Sequence, residues 1–427
     1  MMKKTLLFLF ILLPTIPSQG QIATWRGENR DGHFNEENLL KVWPEAGPEL
    51  IMTVQGIGKG WSSAIAANNT IYVTGKKDSM DYLSAISLNG DIKWQTPYGL
   101  SWDKSYPQSR GSVTVEGNRV YVISGRGVLS CINGDTGKEN WSVDVDAKFE
   151  ARVSPFGASE TPLIIDDKVI CTPCGGKAAV VAFNKMNGQL LWQSENVEGD
   201  KIFSSPIIYA YKNFRYILAG TMSHLIALIP ETGEIAWSYR HYLPGRERSQ
   251  PGDGQYLINN PIFKDDEIFI SRGYNYPAIM IKMDSTGRSV KEKWINQTLD
   301  NEHGGVIRID DHIYGANYNN SQMGKWVCVE WNSGEVTYLQ EWINKGSIIA
   351  ADGMLYIYEE RKGNIGMVNP DPDKFDLISS FKIEKGTGPH WAHLSIFDGI
   401  MYVRRGDVLM CYLIKEVEES GGLMIFN

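Results

Sequence analysis

Eight residues of this 427-residue chain stand at recurring positions and carry side chains that a purely structural repeat would not need. Trp61, Arg110, His303, Lys345 and Trp391 each immediately precede a short pair of small or polar residues that opens an apolar run. Glu160 and Asn260 belong to such pairs, and His390 adjoins Trp391. Ser and Gly at these places would close a repeat just as well. Two cations, a carboxylate, two imidazoles and two indoles converging on one funnel suit a carbohydrate or another polyhydroxylated or anionic ligand. The alternative is that they satisfy one another and ordered water at a hub. Arg110 and Glu160 are expected to pair and order the rim. Glu160 beside His303 could act as a general base, but no residue is assigned a catalytic role. His303 and His390 lack a third ligand marked by spacing, so no metal site is expected.

The elements that must position these residues recur eight times. The openings read Ser62-Ser63-Ala64, Gly111-Ser112-Val113, Glu160-Thr161-Pro162, Ser204-Ser205-Pro206, Asn259-Asn260-Pro261, Gly304-Gly305-Val306, Gly346-Ser347-Ile348 and Ala392-His393-Leu394. Seven copies close on an aromatic: Trp94, Trp141, Trp192, Trp237, Trp294, Tyr338 and Phe381, spaced by 47, 51, 45, 57, 44 and 43 residues. Four short strands and their turns need roughly 40 residues. Runs such as Ile71-Tyr72-Val73, bounded by Asp, Asn and Gly, carry strand rather than helix character. The chain is therefore expected to be all-β, an eight-bladed β-propeller of four-stranded antiparallel blades. The eighth copy stops after Leu413 without its closing strand, and 49–54 precedes the first opening with strand character. That N-terminal strand is predicted to complete the last blade, because an unpaired edge is costly and sticky. Thr136-Gly137 and Thr232-Gly233 supply positive-φ glycines for hairpins.

Lys3 and Lys4, an apolar stretch over 5–13 and Ser18-Gln19-Gly20 read as a secretory signal peptide cleaved before Gln21. The predicted organisation is a signal over 1–20, an extension over 21–48, the propeller over 49–415 and a tail over 416–427. No later run reaches ~18 apolar residues, so no transmembrane segment is expected. An exported protein follows, periplasmic or extracellular. Loss of the two lysines leaves a formal charge of −10 with no basic block, which argues against nucleic acid. Cys131, Cys328 and Cys411 alternate with Ala in other copies and read as small buried slots. Cys171 and Cys174 are expected to form a local disulfide or two packed thiols. Long connections over 98–108, 239–255 and 315–324 are the natural places for lids or partner contacts.

The pattern Cys131-Ile132-Asn133-Gly134-Asp135-Thr136-Gly137-Lys138-Glu139-Asn140-Trp141, repeated over Leu228 to Trp237, resembles the pyrroloquinoline quinone (PQQ) repeat. The run Trp25-Arg26-Gly27-Glu28-Asn29-Arg30-Asp31-Gly32 resembles the opening of secreted PQQ-like propeller proteins, among them those likened to polyvinyl alcohol dehydrogenase and to the outer-membrane assembly propeller. The resemblance implies the fold. It does not fix an activity, since one repeat serves both dehydrogenases and cofactor-free propellers. Family dehydrogenases carry adjacent paired cysteines over the cofactor and a Glu/Asn/Asp calcium site. This chain has no Cys-Cys pair, and no motif matches the triad. The expectation is thus a binding or scaffolding propeller, recognising a protein partner or polysaccharide at its funnel or rim, with no cofactor. The alternative is a PQQ- and calcium-dependent alcohol or sugar dehydrogenase.

Overall fold

The computed structural model describes residues 22–153, 157–241 and 257–416. The expected signal, the tail beyond Glu416 and residues 242–255 of the second long connection lie outside them. Among the described residues, eight separate sheets follow one another along the chain, each with four antiparallel strands of its own blade. Blade 1 runs from Ile65–Ala67 to Ile92–Leu100, and blade 8 begins at Ser395–Phe397. Glu49–Val54 pairs antiparallel with Val408–Leu413 as the outer strand of blade 8, closing the ring as expected.

Blades are held face to face by apolar clusters, one for each interface. The cluster that joins Ile71, Val73 and Ile86 of blade 1 to Tyr402, Leu409 and Cys411 of blade 8 completes the circle. Arg404, fully buried in the same seam, donates to Gly406 O and Gly58 O and to Ser62 and Thr74. Each outer strand meets its neighbour with a one-residue bulge at the same place, such as Cys131/Ile132 and Ala227/Leu228. A bulge there twists the exposed strand and re-aims its aromatic.

The closing aromatics reveal why the turn glycines are needed. Trp94, Trp141, Trp192 and Trp294 each lie on the hairpin of the following blade, over Gly137, Gly188, Gly233 and Gly334. A Cβ on Gly233 would sit 2.4 Å from Trp192. The indole N–H of Trp192 donates to Pro230 O (2.9 Å) in that same hairpin, and Trp94, Trp141 and Trp294 make the equivalent bond. The Thr-Gly turn is therefore both a hairpin and a docking seat for the preceding blade.

All five cysteines are free and buried. Cys131, Cys328 and Cys411 fill slots between blades, as read from the sequence. Of the two arrangements expected for Cys171 and Cys174, a local disulfide or packed thiols, the structure has both as free, buried thiols. Cys171 ends the strand Lys168–Cys171 and packs among Tyr121, Phe149 and Phe183 toward blade 2. Cys174, at a left-handed φ of 46°, points its Sγ toward Gly220 O of blade 4. The backbone turns the two thiols to opposite neighbours. No helix among the described residues is long and apolar enough to cross a membrane; the helix Val145–Phe149 is a single capped turn.

The extension before Glu49 does more than lead into the ring. Ile22–Ala23 adds to the inner edge of blade 2, and His33–Phe34 to that of blade 7. Between these pairings the chain crosses the hub.

Candidate functional site

The residue before each opening pair stands at one end of an inner strand, so these positions share one face, the rim. The structure brings five of the eight predicted residues together there. Trp61 and Trp391 meet edge to face with centroids 4.9 Å apart, and Tyr106 completes the group at 5.3 Å from Trp391. Arg110 lies over the Trp61 ring at 5.5 Å and donates to the carbonyls of Ser105 and Tyr106. His303 packs on Trp391 at 5.6 Å and places Nε2 3.2 Å from Glu360 Oε2. Lys345 bonds Glu302 and lies 3.3 Å from Glu360 Oε1, with its ammonium over the Tyr318 ring. An aromatic and charged arc thus runs from blade 2 through blades 1, 8, 6 and 7. Tyr106 is its most open member, 55% exposed.

Burial pushes the Glu360 carboxyl up, but the His303 hydrogen bond and the charges of His303 and Lys345 outweigh it and hold the group below its ordinary value. Glu302, His303 and Glu360 offer three ligand atoms within 4.8 Å of one another. Lys345 already supplies the cation that neutralises their carboxylates.

Three predicted residues lie elsewhere. Glu160 is buried and does not take Arg110 as its ion-pair partner: Oε1 accepts from Thr172 N (2.8 Å), and Oε2 faces Lys201 Nζ at 3.5 Å. Lys201 also bonds Asp146 (3.1 Å). Burial raises the Glu160 carboxyl, and Lys201 opposes it. Glu160 and Arg110 still line one small cleft with Trp102, Gln108 and Lys201. Glu160 and His303, the pair considered for a general base, take separate partners, Lys201 and Glu360. Asn260 is a hub residue: its Oδ1 accepts from Ser205 N, and its Nδ2 donates to Arg30 O. His390 turns away from the funnel. Its Nδ1 bonds Tyr358 OH at 2.6 Å, and the ring fills the space left by the missing Cβ of Gly363. Burial first, then the Arg405 and Lys382 charges, lower its pKa to about 4.

Sequence reasoning missed Tyr106, Lys201, Glu302 and Glu360. Glu360 was within reach: the pairing Gly346↔Glu359 sets it beside Lys345, and Glu360 N donates to Lys345 O. It also missed what fills the hub. Arg26 and Arg30 are fully buried in the channel beneath the rim, and His393 links the two levels. Arg26 donates to His393 Nδ1 (3.1 Å), which leaves the His393 Nε2 proton for His303 O (2.7 Å). Burial and the Arg26 charge keep that imidazole neutral.

A closed ring of eight blades, built from repeats of the PQQ type with an ion-paired aromatic rim, defines the class. The family profile described as outer membrane protein assembly factor BamB matches residues 79–340, more than half of the chain, and the chain belongs to that family. It is 20% identical over 273 residues to outer membrane protein assembly factor BamB of Yersinia pestis, across 62% of this chain and 65% of that protein. It is 34% identical over 112 residues to quinoprotein alcohol dehydrogenase PedH of Pseudomonas putida, across 25% of this chain and 17% of that protein. The chain therefore spans less than two thirds of the length of either curated relative. Among solved structures, BamB from Moraxella catarrhalis superposes with a TM-score of 0.62 at 15% identity, over 86% of this chain and 99% of that one. Quinohemoprotein alcohol dehydrogenase from Comamonas testosteroni gives 0.66 at 13% identity, over 93% and 81%. At these identities the structures speak to the fold alone.

Proposed function

We propose that this protein is an exported binding or scaffolding propeller that engages a protein partner through its rim. The observation that carries the reading is the arc of Trp61, Tyr106 and Trp391 with Arg110, presented at one face over a hub that the chain itself fills. Partly exposed aromatics beside an arginine are the residue types that dominate protein interfaces. Among the described residues, Arg26, Arg30 and His393 occupy the hub beneath that surface. Membership of the BamB family agrees with a partner-binding role in outer-membrane assembly.

The dehydrogenase reading is favoured by the PedH-like stretch of 112 residues. PQQ is a planar quinone bearing three carboxylates, so it needs a flat slot and unengaged cations. Two features support the binding reading over the dehydrogenase one. Trp61 and Trp391 meet edge to face and leave no parallel slot. Lys345 and Lys201 are bonded to carboxylates, and Arg26 and Arg30 to backbone carbonyls.

The test is a photo-crosslinking amino acid at Tyr106 in the intact protein, with a matched control at the outer-edge residue Ile378. A protein adduct specific to position 106 is expected. Equal adducts at both positions would refute rim recognition. A quinone absorbance band on addition of PQQ and Ca²⁺, with dye-linked alcohol oxidation, would establish the dehydrogenase instead.

A further inference from the structure

In a propeller the innermost strand of each blade is an edge. Its outward carbonyls and N–H groups face the channel with no neighbouring strand to take them. The hub is thus a wall of hydrogen-bonding groups, rich in acceptors that need donors. Here the donors come from residues 22–34. Arg26 donates to Ile348 O (3.1 Å), Val306 O (2.9 Å), Asp31 O (3.2 Å) and His393 Nδ1. Arg30 donates to Thr161 O, Pro206 O and Pro162 O and to the hydroxyls of Thr24 and Thr114. Two guanidiniums therefore tie blades 2, 3, 4, 6, 7 and 8. Every one of these acceptors is a carbonyl, a hydroxyl or an imidazole. The segment's two ends add short strands, Ile22↔Glu116 antiparallel and His33↔Ala350 parallel.

The direction of approach follows from the register. Ile22 pairs with Glu116, at the end of its inner strand remote from the rim, and Phe34 pairs with Ala351, equally remote. The segment rises from the far face, turns beneath the rim and leaves by the face it came from. Short strand additions at both ends, with two side chains clamped in the turn between them, use the backbone pairing and anchor pockets by which sheets bind peptides. Guanidinium suits this wall because its planar fork of five donors can serve several carbonyls at once, whereas an ammonium is a point charge with three.

We propose that the hub is a binding site for an arginine-bearing peptide loop, one that enters and leaves by the same face, and that residues 22–34 occupy it in cis. The site is separate from the rim surface but touches it through the Arg26–His393–His303 chain. Its occupant is a ligand that happens to be covalently attached.

The experiment uses the full chain with a protease site inserted between Glu37 and Asn38, both exposed, and cleaved after folding. The excised segment is expected to stay with the propeller through gel filtration, and to exchange saturably with a fluorescent peptide of residues 21–36. Arg26→Lys or Arg30→Lys in the competing peptide should weaken it roughly tenfold each. Release of the segment on cleavage, or no saturable uptake of labelled peptide, would overturn the proposal. So would collapse of the propeller on cleavage, because a ligand's departure leaves its site folded.

Discussion

Gly233→Ala tests how blades dock. Gly233 has φ +75°, and an added Cβ would meet Trp192 at 2.4, 2.8 and 2.9 Å. Gly353 has the same φ of +75° but nothing within 4 Å of the added Cβ. Left-handed backbone costs a residue with a Cβ roughly 1–2 kcal/mol, so Gly353→Ala should cost that and no more. At Gly233 the indole must also retreat. Overpacking of a fitted ring adds ~1–3 kcal/mol, which includes weakening of the Trp192 bond to Pro230 O, itself worth ~0.5–1.5 kcal/mol. The two variants should therefore differ by about 1–3 kcal/mol in denaturant unfolding, with Gly233→Ala the weaker. In a Trp192→Ala background the difference should vanish, since no ring remains to be displaced. Equal destabilisation of the two variants, within ~0.5 kcal/mol, would refute the docking argument. So would a difference that survives removal of Trp192.

Ring closure predicts that Met52→Pro with Thr53→Pro removes at least one ladder bond to Val408–Leu413, since alternate residues of an antiparallel strand donate. Thermal melting should show a loss of about 0.5–1.5 kcal/mol for each bond removed, and an unchanged melt would place closure elsewhere. His390, its pKa lowered to about 4, is neutral when folded and ordinary when unfolded. Its contribution is full above the unfolded value near 6.5 and is lost as pH falls toward 4, with a slope of up to about 1.4 kcal/mol per pH unit. His390→Gln should flatten stability against pH across that window. Glu360 has the opposite ionisation but the same trend: a depressed carboxyl stabilises above its unfolded value, and the gain is lost as pH falls through the folded one. Lys345→Met should shift that loss to higher pH, read by melting between pH 3 and 6.

The blade count, the closing strand and the rim positions were legible because each is written within one period. Every inner strand starts at the same level, so the residue before each small pair reaches the same face, whatever its type. Partner choice was not legible, because it depends on the second strand and on connections that vary. Glu360 comes to Lys345 across a hairpin, and Lys201 reaches Glu160 from a connection between blades. His390 shows the limit most clearly. It adjoins Trp391 in sequence, yet Gly363 leaves a hole and Tyr358 offers a hydroxyl on the other side, so the ring turns inward.

The Trp25 to Gly32 run is different in kind. It matched a family opening but belonged to no repeat, and its partners lie up to 367 residues away. No local pattern announces that the two arginines of a hydrophilic Arg-Gly-Glu-Asn-Arg stretch will be buried. The physical reason appears only when the ring is assembled. Closing eight blades creates an inner circle of unpaired carbonyls, and a buried carbonyl without a donor costs ~1–3 kcal/mol. Burying arginine is costly too, and it lowers the pKa of Arg26 to about 10 and of Arg30 to about 9. Both remain charged at neutral pH, and charge-assisted bonds to several carbonyls offset the desolvation. The two unfavourable burials cancel because they are made together, and for that reason the hub and its arginines act as site and ligand.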